Sequence, residues 1–340
     1  MPNRFQFAIF FLLLFASPAE SADTVRLSEE GARNLVGTIT EISATEVRIL
    51  RTNSTTPTSV PASAIAATQF GQDPPLLIAM RTAAMGSRFS DVLETAQRLD
   101  PATIINPFAR QDYEFYKAFA LGQIALEGTD NKENLQKAIT ACADFLRGHS
   151  NSYHFFPVCE LAGELYLAAG NREDAFQVYS LLAKAPWPAS QLKANTALGT
   201  IRLEEGRLEE AKKFYQAVLA SPDSSKAALR PKTEAEIGLV KCLILEGNWK
   251  AAIEQLETLS MKIDSEDARL QAPIYLALGE AYEAAENPKE AILAYLHVEI
   301  LFPSAKTQYV AALKRLAVLW SEVNRPERAA EAERILKSLE

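Results

Sequence analysis

The chain has 340 residues, of which 48% are hydrophobic and 23% are charged, and this length gives room for two folded domains. Its formal net charge is −8, and no cluster of basic residues stands out along the sequence. A mildly acidic surface argues against nucleic-acid binding and against a polybasic attachment to membranes.

Residues 1–22 have the features of a cleavable secretory signal. Arg4 supplies a positive charge, and residues 7–15 form an uninterrupted apolar run. That run is about half as long as the roughly 20 apolar residues of a membrane-spanning helix. No cysteine precedes Cys142, which argues against a lipid-attachment cysteine after the signal. We therefore expect an exported protein, periplasmic or secreted, that is not a lipoprotein and has no stable membrane insertion once the signal is removed. Small residues offer three cleavage positions, after Ala19, Ser21 or Ala22.

Residues 23–73 are predicted to form a small β module. Residues 35–43 and 46–51 are rich in β-branched side chains, and a polar stretch separates them from a further run that leads through Ile65 to Phe70. Short strands with a brief turn before the last one are typical of a small barrel. The segment resembles SH3-like and Sm-like modules.

Residues 74–111 are predicted to form a degenerate helical hairpin followed by a linker. Phe89 and Val92 occupy second-helix positions, and the connection contains Pro101 and Pro107, which break helices.

Residues 112–340 contain a repeated helical pattern. In its clearest copy, Tyr275, Leu278, Gly279 and Tyr282 are followed by an alanine and a tyrosine four residues apart and then by a proline. Partial copies recur at intervals of about 36 to 41 residues. This constellation resembles the tetratricopeptide-repeat family. The resemblance implies a mainly α fold, a solenoid of antiparallel helix pairs behind the β module. The structural repeat positions are Gly122, Ala138, Gly163, Tyr166, Ala175, Tyr179, Gly199, Ala211, Tyr215, Ala252, Gly279, Tyr282, Ala291, Tyr295, Pro303, Ala317, Trp320 and Ala329.

Small residues at these positions predict a close approach of the two helices in each repeat. We expect Gly279 of the first helix to face Ala291 of the second, with the two tyrosines above and below. Gly170, Gly206 and Gly247 precede the second helices, where a left-handed residue ends the first helix. Asn287 and Asn324 are expected to do the same in the last two repeats.

The resemblance also implies a binding surface, because the first helices of such arrays line a concave groove. Ligand-facing positions of the family, transferred to matching repeats, predict a groove for a protein or peptide partner. These positions are Tyr116, Phe119, Gln123, Glu160, Glu164, Lys193, Thr196, Thr200, Ile237, Lys241, Leu276, Glu280, Glu283 and Lys314.

The three cysteines and the loop histidines give no sign of a metal or redox site. Cys142, Cys159 and Cys242 fall in helical patterns, either as buried thiols or with a disulfide between the first two. His149 and His154 are expected in a surface loop between repeats.

No catalytic motif with its partner residues occurs in the sequence, so neither an enzyme nor a cofactor is expected. We therefore predict an exported, non-enzymatic scaffold or adaptor. The alternative is a cell-wall or glycan-binding envelope protein that uses the β module for recognition.

Overall fold

The computed structural model describes residues 22–29, 31–128 and 132–339. The predicted signal, apart from Ala22, and residues 129–131 of a predicted loop lie outside the described residues. The chain divides into two compact units, Met1–Glu114 and Phe115–Glu340.

The first unit opens with a five-stranded antiparallel sheet. The strand order is β4-β3-β2-β1-β5, and Val25, Val47 and Ile49 are completely buried on it. The first strand pairs with both the second and the fifth, and it was not among the strands predicted from the sequence. A 3-10 turn at Ala62–Ala64 joins the last two strands. The strands are β1 (Asp23–Leu27), β2 (Leu35–Ile42), β3 (Glu46–Arg51), β4 (Thr58–Pro61) and β5 (Ile65–Gln69).

Two short helices and the start of a third complete this unit. Helices α1 (Pro75–Met85) and α2 (Phe89–Arg98) form a hairpin, and α3 (Pro107–Glu127) begins at a proline, whose missing N–H costs nothing there. Asn106 caps α3, since its Oδ1 accepts a hydrogen bond 2.8 Å long from the backbone N–H of Phe108.

A buried ionic network ties these elements together. Arg81 of α1 donates from Nη1 to Asp73 at 2.6 Å and from Nε to Asp112 of α3 at 2.9 Å. Thr68 of β5 donates its hydroxyl hydrogen to the same Asp112 carboxylate at 3.0 Å. Because all three charged side chains are at most 4% exposed, the network is part of the core of the unit.

The second unit consists of stacked helix hairpins, which confirms the predicted fold class. Successive helices pack as pairs from α5–α6 to α13–α14. First helices α7, α9, α11 and α13 also pack against one another in succession, so they form an inner layer. The helices are α4 (Lys132–Gly148), α5 (Phe155–Ala168), α6 (Arg172–Leu182), α7 (Pro188–Glu204), α8 (Leu208–Leu219), α9 (Lys226–Leu245), α10 (Trp249–Lys262), α11 (Ala268–Ala284), α12 (Pro288–Leu301), α13 (Lys306–Glu322) and α14 (Pro326–Leu339).

The close approach within a hairpin is made between a glycine and a tyrosine ring. The atoms nearest to a Cβ built on Gly279 belong to Tyr295, not to the Ala291 that the sequence analysis expected. Gly163 faces the ring of Tyr179 in the same way. The alanine is fully buried one helical turn away, so the glycine makes room for the ring and the alanine fills the core beside it.

The left-handed residues that end the first helices are mostly as predicted. Gly170, Gly206 and Gly247 have φ between 73° and 81°, and Asn324 has φ 65°. In the remaining hairpin Glu286, with φ 54°, takes this conformation, so the assignment to Asn287 was wrong by one residue.

Candidate functional site

The inner layer of the second unit contains an open cavity of about 590 Å³. Side chains from α7, α9, α11 and α13 line it, so consecutive hairpins build it together. Five of the predicted groove residues lie in its wall: Thr196, Thr200, Ile237, Lys241 and Glu280.

Two glycines and a tyrosine ring shape the base of the cavity. A Cβ on Gly199 would lie 2.6 Å from Cε1 of Tyr215, and a Cβ on Gly238 of the next hairpin would also overlap the ring. The Tyr215 hydroxyl lies 3.2 Å from the Thr200 hydroxyl, within hydrogen-bond distance. Burial raises the pKa of Tyr215 to about 12, so the phenol stays protonated at neutral pH. The two glycines, one on α7 and one on α9, thus make room for this ring.

Inter-repeat ion pairs occupy the inner layer on either side of the cavity. Lys193 of α7 pairs with Glu160 of α5. On the other side Arg315 of α13 pairs with Glu283 of α11, whose carboxylate also accepts a hydrogen bond from Tyr295. The charged groove positions Glu160, Lys193 and Glu283 therefore link neighbouring repeats.

Three carboxylates line the cavity, and each is held in an ion pair. Glu280 of α11 pairs with Lys241 of α9, with 2.9 Å between Oε2 and Nζ. Glu204 and Glu234 also line the wall, and each pairs with an arginine outside the lining, Arg172 and Arg230, both at 2.8 Å.

Glu164 of α5 has no ion pair within 4.0 Å in the described part of the chain, although it was predicted in the groove. Burial of the carboxyl by the surrounding helices raises its pKa, and the charge of nearby Glu160 adds to the effect. Lys193 and Arg230 act in the opposite direction.

The remaining predicted groove residues differ in exposure. Tyr116 is only 4% exposed, and its ring packs edge-on against the ring of Phe115. Phe119 and Gln123 are half-buried, and Leu276 is half-buried against the core of the last hairpins. Lys314 is exposed on α13.

The cysteines and histidines do not form a site. All three cysteines are free and buried, and burial raises the pKa of Cys142 and of Cys159 to about 12. His154 is buried, its ring stacked 3.6 Å from that of Phe115, which contradicts the expected surface position. The described residues contain no group of three or more His, Cys, Asp or Glu placed to hold a metal ion. Nor does any helix in the described ranges combine the length and apolarity needed to cross a membrane.

Two carboxylates of the cavity, those of Glu204 and Glu234, were not among the predicted groove residues. Glu204 follows Thr200 by four residues, and Glu234 precedes Ile237 by three. Residues three or four apart share a face of a helix, so this spacing could have placed both glutamates beside predicted groove positions.

Comparisons with known proteins agree with this architecture. Residues 202–272 match the family model described as a tetratricopeptide repeat. The crystal structure of a tetratricopeptide repeat protein from Parabacteroides merdae superposes with a TM-score of 0.60 at 15% identity, covering 77% of this chain and 91% of that one. The apo form of RapI gives a TM-score of 0.50 at 12% identity, covering 77% and 74%. A search of curated protein sequences found no match. Residues 202–272 therefore match the tetratricopeptide-repeat model, and the stacked hairpins of the helical part have the fold of a tetratricopeptide-repeat protein.

Proposed function

We propose that this protein is a non-enzymatic adaptor that holds a protein or peptide partner in the inner groove of its helical repeats. The observation that carries the proposal is the cavity of about 590 Å³ that α7, α9, α11 and α13 line together. Solenoids present extended inner surfaces to their partners, and a groove of this kind accepts a helix or an extended segment with one side chain in the cavity.

The chemistry of the cavity wall supports a binding role. Its polar members are threonines, glutamates, one lysine, one tyrosine and one glutamine, and three of the charged ones are held in ion pairs with helices other than their own.

The glycan-binding alternative has little support in the β module. Residues 23–73 contain a single aromatic residue, Phe70, and its side chain is 3% exposed. A ring that is buried in the core offers no stacking platform to a sugar.

Site-specific photo-cross-linking in extracts of the native cell tests the groove. Leu245 lines the cavity and is 63% exposed, and Met261 on the second helix α10 is 79% exposed. Benzoylphenylalanine at position 245 is expected to give a discrete protein adduct, and the same residue at position 261 gives none. Thr200→Trp, which fills the cavity, is expected to abolish the adduct at 245 while the helical circular-dichroism signal is retained. Equal adducts at the two positions, or an adduct that survives Thr200→Trp, would contradict the proposal.

We propose in addition that the protein acts outside the cytoplasm, on the basis of the charged start and apolar run of residues 1–22. Fractionation of cells that express the full chain, followed by N-terminal sequencing, tests this. An intact N-terminus in the cytoplasmic fraction would contradict it.

A further inference from the structure

Among the described residues, every charged side chain that lines the cavity is held in an ion pair. The pairs are Glu280 with Lys241, Glu204 with Arg172 and Glu234 with Arg230. Three carboxylates thus face three cations, so these groups carry no net charge. A charged partner group would have to leave water without meeting an unpaired opposite charge, and the cost of that desolvation opposes binding.

The uncharged polar groups of the wall also give no preference for a charge. The hydroxyls of Thr196 and Thr200 donate to the backbone carbonyls of Leu192 and Thr196, at 2.9 and 3.1 Å. Within the described part of the chain, Gln308 of α13 is the polar lining residue whose side chain makes no hydrogen bond or ion pair. A neutral amide donates and accepts hydrogen bonds, as a peptide group does, so Gln308 suits the backbone of a partner.

Apolar side chains provide the rest of the wall, and several of them keep surface in contact with water. Leu245 is 63% exposed, and Leu203, Ile244 and Pro273 are half-buried. A concave surface that combines apolar side chains with a few polar groups is typical of a binding site. An apolar partner side chain placed here would remove this surface from water, which is the main favourable contribution to association.

We infer that the cavity selects an uncharged peptide segment that inserts one large apolar side chain, a leucine, isoleucine, methionine or phenylalanine, against Leu203, Ile244 and Leu245. This inference rests on the proposed function, since it names the chemistry of the partner held in the groove. A lysine, arginine, aspartate or glutamate at the inserted position is disfavoured, because each charge of the cavity already has its partner.

Selection from a random library tests which side chain the cavity accepts. The probes are phage-displayed random dodecapeptides, retained on the immobilised full mature chain and then depleted on the Thr200→Trp variant, in which the cavity is filled. The peptides that remain are expected to share one large apolar residue with uncharged neighbours.

Matched substitutions then measure the apolar contribution, by fluorescence anisotropy of one selected and labelled peptide. Replacing its shared apolar residue with serine should weaken binding at least about tenfold, because the peptide then buries no large apolar side chain. Leu245→Gln on the protein should weaken binding about threefold to tenfold. Met261→Gln is the control, since Met261 is an exposed residue outside the cavity lining, and should leave the affinity unchanged.

Salt separates apolar from charged recognition. The affinity of the selected peptide should change by less than about twofold between about 0.05 and 0.5 M sodium chloride, because salt screens interactions between charges. A fall of about tenfold over this range would show that charge holds the peptide, and would overturn the inference.

The outcomes distinguish this inference from the proposed function. If the retained peptides share a charged residue, or if Leu245→Gln and Met261→Gln change the affinity equally, the apolar selection is overturned. If no peptide survives the depletion while position 245 still forms its adduct, the groove holds a partner of other chemistry and the inference fails alone. If position 245 forms no adduct, the proposed function fails, whatever the peptides do.

Discussion

Lys241 and Glu280 join α9 to α11 across the inner layer, with 2.9 Å between Nζ and Oε2. The pair lies at the edge of the cavity and is partly exposed, the two side chains being 33% and 39% accessible. It therefore links two neighbouring repeats at a position that solvent can reach.

Lys241→Gln removes the cation of this link. The free energy of unfolding should change by less than about 1 kcal/mol, as is usual for an exposed ion pair. Urea unfolding of the variant and of the unchanged chain measures the difference. A loss well above this value would show that the pair contributes more to stacking of the repeats than a partly exposed ion pair does.

Gly279→Leu is expected to destabilise the last repeats by about 1–3 kcal/mol or more, because a side chain there overlaps the ring of Tyr295. Trp320 packs in the same core cluster as Tyr295, so its fluorescence reports the change. Gly148→Leu is the control, since a Cβ at that position meets nothing within 4 Å. Equal urea midpoints for the two variants would contradict the packing scheme.

The repeat could be recognised in the sequence because a glycine, a tyrosine and an alanine recur at fixed spacing. Together these residues form the contact between the two helices of one hairpin. Gly279 was expected to face Ala291 but faces the ring of Tyr295, since spacing along a helix does not say which of two nearby residues meets the neighbouring helix. Inter-repeat pairs such as Lys193 with Glu160 were not foreseen, because loops of unequal length change the register between hairpins. Strand β1 was missed because it is short and follows the signal-like segment.

The thiols are expected to be unreactive in the folded protein. All three cysteines are buried, and the pKa of Cys142 and of Cys159 is raised to about 12 by burial, so almost no thiolate is present at pH 8. Dithionitrobenzoate should detect no thiol in the native chain within minutes and three in guanidinium. Rapid reaction of one thiol without denaturant would show that its helix opens. Detection of only one thiol in guanidinium would instead indicate a disulfide.

The buried network of Arg81, Asp73 and Asp112 gives a pH-dependent prediction for the first unit. Desolvation raises the pKa of Asp73, and the charge of Arg81 opposes that rise. A carboxyl whose pKa is higher in the folded state binds its proton more readily there. Its contribution to stability therefore falls as the pH rises from the ordinary pKa of the carboxyl to the raised pKa of the folded state.

Arg81→Gln removes the cation from between two buried carboxylates. The first unit should lose about 3–5 kcal/mol at neutral pH, the cost of breaking a buried ion pair by removing one partner. Part of the loss should be recovered near pH 5, because the pKa of Asp73 rises further without Arg81 and a protonated carboxyl is cheaper to bury.

Hydrogen exchange of the α1 amides is the measurement, because all three tryptophans, Trp187, Trp249 and Trp320, lie in the second unit. Arg88→Gln is the control, since Arg88 is 59% exposed and its ion pair among the described residues is with Asp91 at the surface. Protection of α1 in Arg81→Gln should be lower than in the control at pH 7 and should approach it, after correction for the intrinsic exchange rate, at pH 5. A deficit that is equal at both pH values would show that the lost hydrogen bonds, and not the buried negative charge, account for the instability.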